Sequence, residues 1–168
     1  MRNAQNSESA VTVSLADLAA TEAFAARLAA IALPGDVFAL IGDLGMGKTA
    51  FARSFINARA ALDGLPVEEV PSPTFTLVQT YPMAGFTIYH IDLYRLERPA
   101  EALELGIEDA FAEDVSLIEW PDRLGSLLPA ARLDITLLPG DSPEARQAVI
   151  EPRGNWGGDR LDDEVLHG

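Results

Sequence analysis

One octapeptide constrains this chain more than any other feature. Residues 42–49 read Gly-Asp-Leu-Gly-Met-Gly-Lys-Thr and fit the pattern G-x-x-x-x-G-K-[S/T]. The octapeptide follows the apolar run Val37–Ile41, typical of a strand buried on both faces, and precedes a predicted helix from Lys48 to about Ala61. Its glycines let backbone N–H groups turn inward around phosphate oxygens, and the helix dipole adds to the attraction. The sequence therefore predicts a phosphate-binding loop.

The predicted nucleotide-binding residues are those of the loop and the start of the helix: Gly42, Asp43, Leu44, Gly45, Met46, Gly47, Lys48, Thr49 and Ala50. Lys48 is expected to reach the β- and γ-phosphates, and Thr49 to place its hydroxyl on Mg²⁺. Lys48 is the only lysine among 12 basic residues, and a planar guanidinium does not suit a compact loop that needs a slender point charge. Ras-type GTPases read guanine through an Asn-Lys-x-Asp motif. No second lysine is left to build one, so we expect ATP and not GTP.

Composition excludes several classes of protein. There are 26 acidic residues against 12 basic ones, a net charge of −14, which argues against a protein that grips nucleic acid or an anionic membrane by itself. The absence of cysteine excludes thiol nucleophiles and thiolate metal sites, and two histidines make a multi-histidine metal site a poor hypothesis. No apolar run approaches a membrane span, so we expect a cytoplasmic protein.

The remaining pattern predicts one three-layer α/β domain over residues 11–152. Two runs rich in Thr, Tyr and Phe, Phe75–Tyr81 and Phe86–Ile91, are separated by Pro-Met-Ala-Gly and predict a hairpin. The expected fold is that of a P-loop NTPase, with a mixed, mostly parallel central sheet that includes an antiparallel hairpin. Two tails are predicted to be disordered: the polar residues 1–10 and the Gly- and Asp-rich residues 153–168.

Two acidic residues each follow an apolar strand: Asp92 after FTIYHI and Glu119 after VSLI. Ligands of open α/β sheets bind at the carboxyl ends of strands, and a P-loop NTPase needs a carboxylate there to hold the metal shell or orient water. Thr74 stands where γ-phosphate-sensing switch segments occur. The candidate catalytic residues are Lys48, Thr74, Asp92 and Glu119, and the candidate metal-binding residues are Thr49, Asp92 and Glu119. Either acid could instead be a solvated strand end or a helix cap.

Five motifs occur in order along residues 11–150: GDLGxGKTxFxR from Gly42, SPTFTLV from Ser72, YHxDLYRL from Tyr89, a Glu- and Leu-containing pattern that ends in Gly-Ile, and LIEWP from Leu117. Together they strongly resemble the TsaE (YjeE) family of bacterial ATPases required for threonylcarbamoyladenosine formation in tRNA. The resemblance implies ATP with Mg²⁺ as cofactors and hydrolysis that is weak alone and stimulated in a complex. It also implies TsaD, which carries the transferase chemistry, and TsaB as protein partners.

The same resemblance implies that Glu119 is the metal-associated acid and that Thr74 lies in a switch-like element. Met46 stands where the family commonly has Ala, and Ala50 where it frequently has Thr or Ser; neither change removes a catalytic group. The acidic charge suits a protein that serves tRNA modification without binding tRNA tightly itself. Two other hypotheses are a small-molecule P-loop kinase and a nucleotide-gated binding module with negligible turnover.

Overall fold

The structure, a computed structural model, describes residues 10–66 and 69–168. Seven strands form one mixed sheet: β1 (Val11–Leu15), β2 (Val37–Ile41), β3 (Val78–Pro82), β4 (Thr87–Asp92), β5 (Val115–Glu119), β6 (Arg132–Pro139) and β7 (Arg146–Arg153). Their order is β1-β7-β6-β2-β5-β4-β3. The central strands β6, β2, β5 and β4 pair in parallel, whereas β1, β7 and β3 pair antiparallel towards the two edges.

In the described part of the chain, four α-helices accompany the sheet: α1 (Leu18–Ile31), α2 (Lys48–Leu62), α3 (Ile107–Glu113) and α4 (Asp163–His167). Short 3₁₀ helices cover Pro99–Leu105, Pro121–Leu127 and Gly158–Arg160. Helix α1 begins as a capped helix should, because the Asp17 carboxylate accepts a hydrogen bond from the Ala20 N–H at 2.8 Å. Within the described ranges, no helix is both long and apolar enough to cross a lipid bilayer.

Each face of the sheet buries its own apolar cluster. Phe38 and Leu117 point to the face covered by α1 and α2, where they pack in one core with Phe24 and Phe55. The neighbouring residues along the strands point the other way, so that Val37, Ile118 and Ile91 pack against α3 and the 3₁₀ helices Pro99–Leu105 and Pro121–Leu127. This arrangement of helices on both sides of a mixed sheet confirms the predicted three-layer α/β fold.

The strand order decides which loops meet. Strand β2, which leads into the predicted phosphate-binding loop, lies beside β5, and β5 lies beside β4. All three are parallel, and Asp92 at the end of β4 is in register with Glu119 at the end of β5. The loop and both acids are therefore placed at one edge of the sheet.

The predicted hairpin is present, but its first strand is shorter than expected. Strand β3 starts at Val78 and not at Phe75. Residues 74–76 form a turn, and Leu77 has a positive φ of 67°, which no strand residue adopts. The segment before the hairpin therefore bends towards the end of β4 instead of extending the sheet.

The prediction of a disordered tail over residues 153–168 is wrong. This segment contains α4, and Trp156, Val165 and Leu166 are buried in the core on the α1 side. The Trp156 ring lies edge-on to Phe38 with ring centres 6.2 Å apart. The few apolar residues of this segment are thus packed into the main core. Residues 1–9 of the other predicted tail lie outside the described residues.

Arg160 is expected to be the main polar attachment of this C-terminal segment. Its guanidinium donates to both carboxylate oxygens of buried Asp36, at 2.9 and 2.6 Å, and to the Ile31 carbonyl at 2.7 Å. Arg160→Ala should lower the free energy of unfolding by about 1–3 kcal/mol, because the Asp36 carboxylate loses its charged partner. Urea titration measures this change.

Arg98→Ala is the matched control, since its pair with Glu101 is solvent-exposed and should contribute less than about 1 kcal/mol. Equal losses in the two variants would show that the C-terminal segment does not depend on the Arg160–Asp36 pair.

Candidate nucleotide-binding site

The loop between β2 and α2 has a backbone that two of its glycines make possible. Gly47 immediately precedes α2 with φ of 100°, a conformation that favours glycine strongly. At Gly42 a Cβ atom would lie only 2.8 Å from the Leu137 carbonyl oxygen of β6. The glycine at position 42 therefore lets the loop leave the sheet beside β6, and the one at position 47 turns the chain into the helix.

Lys48 is folded back over its own loop. Its side chain is buried, and the ammonium donates hydrogen bonds to the Gly42 carbonyl and, at 3.2 Å, to the Asp43 carbonyl. The ammonium also lies 3.9 Å from the centre of the Trp120 ring, an attractive cation–π distance. Burial lowers the pKa of Lys48 from its usual value, and the carboxylates of Glu119 and Asp92 partly offset that shift.

Glu119 is held at both carboxylate oxygens. Oε1 accepts a hydrogen bond from the Thr49 hydroxyl at 2.8 Å, and Oε2 lies 2.7 Å from Nε2 of His90. Glu119 is only 2% exposed and His90 is fully buried. The carboxylate can only accept, so a hydrogen on Nε2 completes the second bond. This clamp points Glu119 at the first turn of α2.

Asp92 is hydrogen-bonded to the segment before β3. Its Oδ2 accepts from the Thr74 hydroxyl at 3.0 Å, and its Oδ1 accepts from the Tyr94 backbone N–H at 3.0 Å. The Thr74 hydroxyl is also 2.7 Å from the Ser72 hydroxyl. The bend before the hairpin therefore delivers Thr74 directly to the strand-end acid.

A cavity of about 340 Å³ joins these parts. Its lining includes Lys48, Thr49, Thr74, Asp92 and Glu119, so the structure brings all predicted catalytic and metal-binding residues to one place. Of the other predicted loop residues, Leu44, Gly45, Gly47 and Ala50 line the same cavity, whereas Gly42, Asp43 and Met46 line an adjoining cavity of about 250 Å³. The loop therefore lies between two neighbouring cavities.

The donor set suits a magnesium ion that is held partly by phosphates. Within the described residues, no three His, Cys, Asp or Glu side chains are grouped to hold a metal by themselves. The Thr49 hydroxyl and the Glu119 carboxylate are adjacent hard oxygen donors. Mg²⁺ in nucleotide sites takes one or two such protein groups and completes its shell with phosphates and water, so the residues fit the cofactor that the sequence predicts.

Sequence reasoning missed three contacts of this site. Nε2 of His90 holds the Glu119 carboxylate. The Trp120 ring covers the Lys48 ammonium, and Trp120 has a positive φ of 58°. Arg146 bonds the loop from β7, 100 residues later. Trp120 directly follows Glu119 and His90 lies two residues before Asp92, so nearness to a predicted acid marks both residues without showing what they contact; for Arg146 the sequence carries no signal.

Three arginines near the motifs have their contacts elsewhere. Arg53 donates to the Val70 carbonyl at 3.0 Å. Arg95 stacks on the exposed Phe75 ring at 4.3 Å, and Arg98 pairs with Glu101. These contacts involve none of Lys48, Thr49 and Glu119.

The chain is similar to known proteins of one family. The family described as "Threonylcarbamoyl adenosine biosynthesis protein TsaE" matches residues 15–148. The TsaE protein of Rickettsia bellii is 43% identical over 117 residues, which cover 70% of this chain and 78% of that one. The Bacillus subtilis TsaE protein is 40% identical over 137 residues, covering 80% and 81%. A crystal structure of Bacillus subtilis YdiB superposes with a TM-score of 0.72 at 30% identity, over 94% of each chain. This chain belongs to the TsaE family of threonylcarbamoyladenosine biosynthesis proteins.

Proposed function

We propose that this chain is a P-loop ATPase that hydrolyses ATP with Mg²⁺ for the threonylcarbamoyladenosine modification of tRNA. Family membership supports the role in tRNA modification. The observation that carries the ATPase proposal is the convergence on one cavity of a glycine-rich loop, its lysine, and a carboxylate clamped against the Thr49 hydroxyl. Because tRNA is modified where it is made and used, this role would place the protein in the cytoplasm.

The proposed role of each residue follows from its charge and from the negative charge of the phosphates. The loop N–H groups and the Lys48 ammonium neutralise the negative charge of the β- and γ-phosphates. Thr49 and Glu119 would hold Mg²⁺, which would supply positive charge against the phosphates. Asp92, or Glu119 itself, orients the attacking water, and the Thr74 hydroxyl links Asp92 to a segment able to sense the γ-phosphate.

The proposed partners are TsaB and TsaD. Arg53, Arg95 and Arg98 make their contacts elsewhere. We therefore propose that a partner supplies the arginine side chain that stabilises the charge of the transition state and so stimulates hydrolysis. We propose that hydrolysis is slow in the isolated protein and faster in the complex.

One assay tests this proposal. ATP hydrolysis is measured for the protein alone and with the TsaB–TsaD pair, each with and without Mg²⁺. We expect slow Mg²⁺-dependent release of phosphate alone and stimulation by the pair. Nucleotide-dependent binding without turnover under any condition would favour a binding module, and stoichiometric phosphoryl transfer to a small acceptor would favour a kinase.

The isolated protein is expected to bind tRNA weakly or not at all. Its net charge of −14 repels a polyanion, and proteins that grip nucleic acid do so by neutralising phosphates. Titration of labelled tRNA at two salt concentrations measures this. Tight binding that weakens steeply with salt would contradict the proposal that the partners hold the tRNA.

A further inference from the structure

Arg146 lies outside the cavity, yet its side chain is bonded to the phosphate-binding loop. Nε donates to the Met46 carbonyl at 2.9 Å, and Nη2 donates to the Gly45 carbonyl at 3.4 Å. Nη1 donates to the Pro143 and Ala145 carbonyls, both at 2.8 Å, in the turn that precedes β7. The planar guanidinium thus joins two loop carbonyls to the turn that carries Arg146.

The sheet topology explains how a residue so far along the chain reaches the loop. Strand β7 runs antiparallel to β6, and Arg146 is in register with Pro139 at the end of β6. Strand β6 is parallel to β2, and it continues from Thr136, the partner of Ile41 at the end of β2, to Pro139, so its end lies beside the loop. The first residue of β7 is therefore delivered to the outer side of the loop.

The two bonded carbonyls belong to the most adaptable part of the loop. Met46 is flanked by Gly45 and Gly47, whose φ angles are 82° and 100°, and a peptide next to a glycine has unusual freedom to rotate. In a trans peptide, the C=O of one residue and the N–H of the next point in opposite directions. A bond that holds the Met46 carbonyl outward therefore turns the Gly47 N–H to the inner side, and Gly47 lines the cavity.

Resting on the proposed nucleotide-binding function, we propose that Arg146 is a positioning residue of this site. It holds the Gly45 and Met46 carbonyls from outside and so presets the Gly47 N–H as a donor to a nucleotide phosphate. Its role differs from that of Lys48. The lysine bonds the Gly42 and Asp43 carbonyls from within the loop and is free to exchange them for phosphate oxygens, whereas Arg146 keeps its carbonyl partners throughout.

Arginine suits this task better than lysine. The guanidinium presents five N–H donors in a rigid plane and can serve carbonyls on two of its edges at once, whereas an ammonium on a flexible stem cannot fix two of them in the same geometry. The proposal therefore predicts a graded series in which Arg146→Lys lies between the native protein and a variant without donors.

The test measures ADP and ATP affinity of the full-length protein by calorimetry, with kcat and KM in the presence of the TsaB–TsaD pair. Arg146→Met retains part of the aliphatic stem and removes every donor. We expect it to weaken nucleotide binding about tenfold, with a matching rise in KM and little change in kcat at saturating ATP. Arg146→Lys should recover part of the affinity.

Arg153→Met is the matched control. Arg153 is an arginine at the other end of β7, where it pairs with Asp134 and Glu151, and its loss should alter stability without altering nucleotide affinity. Circular dichroism and thermal unfolding follow the fold of each variant. If Arg146→Met does not fold, Arg146→Lys decides, and an unchanged affinity in that variant overturns the proposal.

The outcomes separate this inference from the proposed function. A native protein that binds nucleotide, together with Arg146→Met that binds equally well, overturns the role of Arg146 alone. Equal losses of affinity in the Arg146 and Arg153 variants also overturn it, because they would reflect general destabilisation. A native protein that binds no nucleotide overturns the proposed function and this inference together.

Discussion

Replacing Lys48 with methionine is expected to lower the kcat of ATP hydrolysis at least about 100-fold, the scale seen when one preorganised charge-stabilising group is removed. Methionine has a similar length and no charge, so the variant removes the phosphate-binding cation without opening a large cavity. Phosphate release in the presence of the TsaB–TsaD pair is the measurement. Hydrolysis near the native rate would refute the role assigned to the loop lysine.

The stability of Lys48→Met separates lost catalysis from lost folding. Burial lowers the pKa of Lys48 below its ordinary 10.5 in the folded chain, so the unfolded chain binds that proton more tightly. The free energy of unfolding therefore rises as the pH increases through the lowered pKa towards 10.5. At neutral pH, where Lys48 is charged in both states, burial of the charge destabilises the folded chain. We expect Lys48→Met to be at least as resistant to urea at pH 7 as the native protein, and to lack this alkaline rise.

Two further variants sharpen the Lys48 result. Lys48→Arg keeps the charge but places a planar group where Gly42, Asp43 and the Trp120 ring surround a compact ammonium, so we expect hydrolysis to remain impaired. Arg153→Met removes a cation far from the loop and should leave hydrolysis unchanged. Full activity in Lys48→Arg would show that the site needs positive charge alone and not the lysine geometry.

Replacing Glu119 with glutamine is expected to reduce hydrolysis about 100-fold or more while nucleotide binding persists. The amide retains the shape but loses the negative charge, and its NH₂ group cannot accept the hydrogen bond that the carboxylate oxygen accepts from Thr49 or His90. The phosphates remain held by the loop and Lys48, so calorimetric affinity for ADP should change far less than kcat. The Mg²⁺ concentration needed for half-maximal activity should rise.

Glu113→Gln is the matched control. It is the same substitution at an exposed residue, at the end of α3 and away from the cavity. Asp92→Asn, measured alongside, distinguishes the two strand-end acids. If Asp92→Asn abolishes hydrolysis and Glu119→Gln does not, the roles assigned to the two acids must be exchanged.

Much of the fold could be predicted because local patterns and topology rules agree. The apolar runs of β2 and β5 have the composition of strands covered on both faces, and both are buried on both faces. The prediction failed where few residues decide the outcome. Residues 153–168 have the composition of a disordered tail, but Trp156 and Leu166 are buried in the core, and a composition average cannot detect the packing of single residues.

The candidate site, like the fold, could be predicted from the sequence only in part. The amino-acid sequence by itself predicted a phosphate-binding loop, its lysine and two strand-end acids, because a strand followed by G-x-x-x-x-G-K-T places these groups by local geometry and by the rule that ligands bind at strand ends. Only the tertiary structure decided that His90 orients Glu119, that Trp120 covers Lys48 and that Arg146 holds the loop from behind. Each of these contacts depends on the order and register of strands distant in sequence, which no local pattern encodes.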